Sequence, residues 1–533
     1  MLAVLSGQYI NPELRLHYGA LPPSFLPIGS QRFFARQVML AQAEAVLMTL
    51  PEGYSLQESD RQMLERLGVG LLFLPETISL NEAVLEVADR TSAGESLRIL
   101  FGDTFVDVEP EDLTADDIVV VHDTPLDYPW TYSVETPQGL TFTDHPSDTD
   151  NQHVVCGYFK FSDMGALRNA FATGSFAKAL TAYSGCRPVA LVEAREWYDF
   201  GHLAMYYKSR RSLLVARMSN SLDSDGYSIR KRSHDAAKME AEAHWFENLP
   251  NRLKLHAPRF LGRLNEESQA GYEIEYLHFP TLGDLLVFGN HTAHSWRMIL
   301  NRCFEFLEKC QAVRPDENAP DLSDGYAGGF FENVVVRKTW RRLEAYCKAC
   351  GLSIDSGISV NGCENVSLRV IAEDILASLP RTRPEHIAFF HGDFFFGNIF
   401  FDFSTQRIVT IDPRGHVDTG SPALYGDWRY DLGKMAHSVV GGYDDILAGR
   451  SSLHKNTATD WTFRIAFNDM HDALRGHFVE SAATRFGIDA AELHAWAALM
   501  FLSMLPLHAD SPERQEHLLA NGIRLHALLK SFE

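Results

Sequence analysis

Two carboxylates and one carboxamide stand close together late in the chain. His391-Gly392-Asp393 is followed by Asn398 and then by Ile411-Asp412, in the stretch HGDFFFGNIFFDFSTQRIVTID. A carboxylate at Asp393 can orient a hydroxyl and take its proton. Asn398 can offer an oxygen to a metal ion from the same loop. Asp412 closes the run Arg407 to Ile411, whose residue types favour a strand, and can hold Mg²⁺ against the phosphates of a nucleotide. Phosphoryl transfer asks a protein mostly for positioning and charge neutralisation, so a base with two metal ligands supplies most of what is needed. The bland alternative is a buried turn between apolar strands whose acids cap local N–H groups.

These residues resemble the catalytic and metal-binding loops of the aminoglycoside phosphotransferase and choline kinase group, whose fold is protein-kinase-like. The shared pattern is His, Gly or Asn, Asp, four residues, Asn, then a hydrophobic strand ending in Asp. The resemblance implies Asp393 as the catalytic base, Asn398 and Asp412 as metal ligands, Mg²⁺ as cofactor and ATP as substrate. It also implies a small β-rich lobe upstream, with a lysine for the phosphates and a helix glutamate that holds the lysine.

The elements that would position those groups occur in the expected order. Ser212 to Met218 reads as a strand, and a polar turn follows from Ser219 to Gly226. This turn lacks a Gly-x-Gly-x-x-Gly loop, and Ser219 and Asn220 are the candidates for phosphate contacts there. Tyr227 to Ser233 alternates as a second strand, which places Lys231 opposite in facing to Arg230 and Arg232. Lys231 is the candidate phosphate lysine. A helix from Asp235 to Leu249 is stopped by Pro250; Glu242 is its candidate glutamate and Glu240 the competitor. Pro258 to Gly262 and Gly271 to Leu277 read as further strands. By the resemblance, backbone groups around Tyr276, Leu277 and His278 face an adenine before the helix of Thr281 to Leu286. Residues from about 291 to 390 are mainly helical in pattern. Asp431 is a natural N-cap for a helix from Leu432 to Val440. His391, Asp427 and Asp431 are assigned to support. Arg414 either meets an anionic substrate or phosphate, or pairs with Asp427 or Asp431.

Length and charge bound the rest. A chain of 533 residues is too long for one core, so two or three domains are expected. The formal net charge of -22, from 48 basic and 70 acidic residues, argues against a nucleic-acid or anionic-membrane binder. A nucleotide and a small-molecule substrate remain compatible with it, as does a homo-oligomer. No apolar run long enough to span a bilayer and no signal-peptide pattern are evident. The seven cysteines are scattered. Cys347 and Cys350 fall in a helical-looking segment, Thr339 to Gly351, so packing is the simpler role, and a reducing cytoplasm is the expected compartment.

The front of the chain alternates strand and helix signals: strands at Leu2 to Leu5, Leu97 to Asp103 and Asp117 to Val121, and a helix from Gln31. That pattern suggests a doubly wound, Rossmann-like α/β sheet with a ligand at the carboxyl ends of its strands. Leu26-Pro-Ile-Gly29, Gly102-Asp103, Val155 to Phe161 and Trp197 to His202 resemble motifs of the sugar-phosphate nucleotidyltransferases, such as glucose-1-phosphate thymidylyltransferase. The resemblance implies that Asp103 and Asp199 hold Mg²⁺. Three departures stand against full activity. Ser6 to Arg15 lacks the glycine run, Pro22-Pro23-Ser24 stands where the family has Pro-Lys-Pro, and Glu135-Thr136-Pro137 stands where it has Glu-Lys-Pro. Active nucleotidyl transfer, a binding pocket without catalysis and a packing scaffold all stay open.

The expected organisation is a nucleotidyltransferase-like domain over residues 1–207 and a bilobal protein-kinase-like domain over 208–533, with lobes at 208–285 and 286–533. The expected reaction is ATP- and Mg²⁺-dependent phosphorylation of a hydroxyl on a sugar, polyol or amino alcohol bound for surface polysaccharide or lipopolysaccharide. The alternatives are a sugar-phosphate nucleotidyltransferase making an activated precursor, and a non-catalytic nucleotide- or sugar-binding regulator.

Overall fold

Apolar runs in the first part of the chain assemble into one mixed, nine-stranded sheet. Leu2–Leu5 lies parallel between Val46–Pro51 and Leu97–Phe101, and Val69–Leu74 continues the parallel set. The ten-residue strand Gln152–Phe161 then meets Leu97–Phe101 antiparallel. Every residue of Leu2–Leu5 is buried, as expected of a strand covered on both faces. Ile99, Val119, Phe159, Leu167, Phe171 and Tyr183 form the adjoining core. A short antiparallel pair, Thr104–Asp107 with Glu196–Asp199, brings two distant acids to one place.

The structure is a computed structural model. It describes the chain apart from residues 30, 42–43, 93, 125, 127, 138, 145–151, 173, 216–221, 267–268, 317–322, 418–421 and 533. It divides into two compact units, Met1–Leu214 and Val215–Glu533. The helix Leu203–Val215 carries the chain across residue 207. Residues 212–215 are therefore helical, not the strand read from the sequence. That run holds only one β-branched residue and continues a segment of good helix formers, so the helix extends through it. Ser219 and Asn220 lie outside the described residues. The expected helix from Gln31 is also displaced. Gln31–Arg32 pairs with Pro27–Ile28 and the helix begins at Phe34. The Arg32 guanidinium is buried against Asp60 and the Phe25 carbonyl, which fixes this stretch in extended form.

In the second unit a four-stranded antiparallel sheet runs in the order Leu222–Ser224, Ser228–Ser233, Gln269–Glu275, Phe260–Glu266. Beside it lies the helix Ala236–Glu247, capped by Asp235 accepting from the Lys238 N–H. A helical region follows Thr281, which caps Leu282–Phe288. It includes a seven-residue π-helix, Phe331–Arg337, leading into Lys338–Cys350. π-Helical turns are rare and recur at functional sites. Among the described residues one helical stretch, Ala490–His508, is long and apolar enough to cross a membrane, and most of it is packed inside the unit. Cys347 and Cys350 sit on the helix Lys338–Cys350, both as free thiols.

Candidate phosphotransferase site and an acidic pair

The loop His391–Asn398 and the turn after Thr410 are tied together by backbone hydrogen bonds. Ile399–Asp402 pairs antiparallel with Arg407–Thr410. The Ile411 N–H donates to the Asn398 carbonyl at 3.0 Å and the Arg414 N–H to the His391 carbonyl at 2.8 Å. Asp412 takes a left-handed φ of 54°, a conformation uncommon in residues other than glycine, which the surroundings must hold in place. Two glycines make the approach possible. Gly392, at φ 78°, has no room for a Cβ, which would come within 2.5 Å of Arg414 Cβ. Gly415, at φ 65°, packs so closely on the next helix that a Cβ would lie 2.3 Å from the Ala241 carbonyl oxygen.

That packing joins the loops to Lys231 and Glu242. Lys231 Nζ lies 2.7 Å from Glu242 Oε2 and 3.0 Å from Asp412 Oδ1. The Tyr272 hydroxyl donates to the same Glu242 oxygen at 2.7 Å. Trp245, one turn on, donates from Nε1 to the Phe390 carbonyl. Burial alone would depress the Lys231 amine, but Asp412 and Glu242 more than offset it and raise its pKa. Burial pushes the Glu242 carboxyl up, and Lys231 tempers the rise. Glu240, the competitor, instead pairs with Arg263 on the surface.

Asp393 Oδ1 accepts from Lys434 Nζ at 2.8 Å. Burial would raise its carboxyl, but Lys434 outweighs that and lowers it, so Asp393 is ionised at neutral pH. Asn398 donates from Nδ2 to the Asp393 carbonyl at 3.0 Å and to Oδ2 at 3.2 Å. Its Oδ1 is the atom left for a metal. Oxygen donors from Asn398 and Asp412 suit Mg²⁺, which keeps waters and substrate phosphates in most of its shell. His391 Nδ1 accepts from the Asp393 N–H at 3.2 Å. Burial holds its pKa down at about 4, so the ring is neutral.

The supporting acids divide the labour. The Asp431 carboxylate accepts from the His391 and Gly392 N–H groups, each at 2.7 Å. It braces the loop instead of capping its own helix, which begins at Arg429; a cap for Leu432 onward is thus ruled out by its place in the first turn. Asp427 forms a bidentate pair with Arg429 and accepts from Thr382. Arg414 pairs with neither acid. It donates from Nε to the His416 carbonyl and lies 6.0 Å from the Tyr430 ring centroid. Between Glu275 and Leu282, the Tyr276 and His278 rings lie 5.3 Å apart and the Tyr276 N–H donates to the Tyr227 carbonyl; Leu277 stands between them in the chain.

Lys434 was missed by the sequence reading. One signal was available: it follows Asp431 by about one helical turn, so a helix whose Asp431 braces the loop start brings Lys434 near the loop as well.

In the first unit Asp103 and Asp199 also meet. A Cβ on Gly201 would lie 2.6 Å from Asp103 Oδ2 and 3.2 Å from Asp199 Oδ1. Asp199 accepts from Trp130 Nε1 at 3.0 Å and from the Gly201 N–H at 2.7 Å, and His202 Nδ1 is 3.9 Å away. Burial, reinforced by the Asp199 charge, pushes Asp103 up to about 7. Ser24, the last residue of the Pro22-Pro23-Ser24 stretch, is fully buried and donates from its hydroxyl to the Gly102 carbonyl.

Residues 220–461 match the phosphotransferase enzyme family, APH. No curated protein matches the chain. Among solved structures, an aminoglycoside-3'-phosphotransferase of type VIII is similar at 12% identity, covering 55% of this chain and 97% of its own, with a TM-score of 0.33. A nucleoside-diphosphate-sugar pyrophosphorylase from Vibrio cholerae RC9 is similar at 14% identity over 40% of this chain and all (100%) of its own, with a TM-score of 0.32. An inositol-1-phosphate CTP transferase from T. maritima shares 14% identity over 38% of this chain and 90% of its own, with a TM-score of 0.30. The chain thus couples a region similar to nucleotidyltransferases with a region similar to protein-kinase-like phosphotransferases. Lys231, Glu242, Asp393, Asn398, Asp412 and Lys434 all lie inside the phosphotransferase match.

Proposed function

We propose that the second unit is an ATP-dependent small-molecule kinase that phosphorylates a hydroxyl. The observation that carries the reading is the bridge from Lys231 to both Glu242 and Asp412, set beside the Asp393–Asn398 pair. Lys231, held by Glu242, would meet the nucleotide phosphates, and the segment around Tyr276, Leu277 and His278 would lie next to the base. Asn398 and Asp412 would hold Mg²⁺, which neutralises charge on the phosphates when bound. Asp393, kept ionised by Lys434, orients the acceptor hydroxyl. The acceptor oxygen forms a bond to the γ-phosphorus, the bridging bond to ADP breaks, and the hydroxyl proton passes to the Asp393 carboxylate. Asp431 keeps the loop in shape and touches no reacting atom.

The acceptor class we infer is a sugar, polyol or amino alcohol. The nucleotidyltransferase-like first unit supports a place in making activated sugars for surface polysaccharide, in the cytoplasm. A second reading has one observation in its favour: the Asp103–Asp199 pair is a candidate divalent-cation site, so the first unit could transfer a nucleotidyl group to the product of the second. Pyrophosphate release from CTP, TTP or UTP with a sugar phosphate would reveal that activity.

The test of the kinase reading is Asp393→Ala, with Asp393→Asn as the variant that keeps the side-chain shape. Loss of a positioned base should lower transfer by about 10²–10⁴-fold while Mg·ATP binding, read by calorimetry, stays near that of the parent. Transfer that survives at the parental rate would sink the assignment.

A further inference from the structure

The phosphotransferase site holds more cationic side chains beside Asp393 than its carboxylates answer. Lys338 and Arg342 stand one turn apart on the helix Lys338–Cys350, and Tyr430 and Lys434 one turn apart on Arg429–Val439. Residues so spaced share a helix face. Lys338 Nζ donates to the Tyr430 hydroxyl at 2.5 Å and lies 4.8 Å from the ring centroid. The Arg414 guanidinium approaches the same ring at 6.0 Å. The Tyr430 ring is therefore the meeting point of two cations from separate segments, and Lys434, one turn further, reaches Asp393.

The acids nearby are already engaged. Asp393 is paired with Lys434, Asp431 with the loop N–H groups, and Asp427 with Arg429 and Thr382. Among the described residues no carboxylate stands within ion-pair distance of Lys338, Arg342 or Arg414. Arg342 donates one bond, to the Ser503 carbonyl at 3.1 Å. Lys338 is only 5% exposed, and lysine is almost never buried without a partner charge. Burial first, and then Arg414, Lys434 and Arg342, hold its amine well below the ordinary lysine range. Burial likewise lowers Arg342, with Arg414 and Arg341 adding to it. Lys231 belongs to a different set: the charges that act on it are Asp412 and Glu242. The nucleotide phosphates thus have their own lysine, and the Lys338 group is left over. In a chain of net charge -22, a cluster of like cations costs stability unless an anion completes it.

We propose that the acceptor whose hydroxyl faces Asp393 also carries a phosphate or carboxylate group, and that Lys338, Arg342 and Arg414 bind that second group. This rests on the kinase reading of the same site and narrows it: anionic hydroxy compounds are taken over neutral sugars and amino alcohols. An arriving anion accepts from the unused donors of the three side chains and offsets their mutual repulsion.

The test uses the full chain loaded with Mg·AMP-PNP, so that the nucleotide site is filled, and titrates it calorimetrically with inorganic phosphate, acetate and glycerol. Phosphate or acetate should bind and glycerol should not. Stronger phosphate binding assigns a phosphorylated acceptor, and stronger acetate binding a carboxylated one. Arg342→Gln, at a partly buried position, should weaken the anion by about ten- to a hundred-fold, the usual worth of a charged hydrogen bond. Lys338→Gln should do the same where it folds. Anion affinity that is absent, or unchanged in Arg342→Gln, overturns the proposal. If AMP-PNP itself does not bind, the kinase reading fails separately, and the same titration on the nucleotide-free chain still decides the anion site.

Discussion

Asp393 and Asp103 are both acids at the mouth of a loop, both in low-dielectric surroundings, and they shift in opposite directions. Lys434 sits 2.8 Å from Asp393 and pulls its pKa down. Asp103 faces another acid, Asp199, and rises to about 7. The cation partner, not the burial, decides the sign. In the second unit Asp393 is thereby kept ionised at neutral pH. The first holds a like-charged pair, with His202 Nδ1 3.9 Å from Asp199.

The largest expected effect tests the charge-matched side. Lys231→Met removes the cation that both Glu242 and Asp412 share. Turnover in a steady-state kinase assay should fall by about 10²–10³-fold, comparable to removing one preorganised electrostatic donor. An unchanged kcat would mean that the nucleotide phosphates are held elsewhere, and the contrast with the first unit would lose its meaning.

The next effect tests the unmatched side. In the folded unit Asp103 titrates at about 7 against a reference near 3.8. Between those values the folded state holds more protons than the unfolded one, so stability declines as pH rises from about 4 to about 7. The decline should be on the order of 1–3 kcal/mol. Asp199→Asn removes the opposing charge and should lessen it, with the part due to burial of Asp103 remaining, as read from denaturant unfolding at a series of pH values. Added Mg²⁺ should restore the parent protein at pH 8 and leave Asp199→Asn unmoved. A decline equally steep in Asp199→Asn and in the parent would show that the two acids do not sense each other.

Local spacing made part of this legible. Asp393, Asn398 and Asp412 lie in one short stretch, and the strand pairing that brings Asp412 back to Asn398 joins neighbours in sequence. The two-residue period of Ser228–Ser233 separated Lys231 in facing from Arg230 and Arg232. The cations gathered near Asp393 were not legible. Lys338, Arg342 and Lys434 come from helices whose approach depends on tertiary packing, and a lysine in a helix reads in sequence as a solvated charge. Ser212–Val215 failed for another reason: a short apolar run fits strand and helix periods equally, and the chain preceding it settled the matter. Asp431 looked like a helix cap because a cap and a loop brace need the same short carboxylate near a helix start.

The smallest effect is the most discriminating. Glu240 and Glu242 sit two residues apart on one helix, so they point to different faces. Glu242 is buried between Lys231 and Tyr272, whereas Glu240 is more than half exposed and pairs with Arg263, which also bonds Glu247 at 2.6 Å. Glu240→Gln should cost less than about 1 kcal/mol in stability, as exposed pairs usually do, and should leave kcat and KM for ATP where they were. Glu242→Gln keeps the shape and the Tyr272 contact but leaves Lys231 to Asp412 alone, so the lysine loses its fixed position and KM for ATP should rise. If Glu240→Gln damages catalysis and Glu242→Gln does not, the lysine is held from the other face of the helix, and the charge matching that separates the two units is misassigned at its centre.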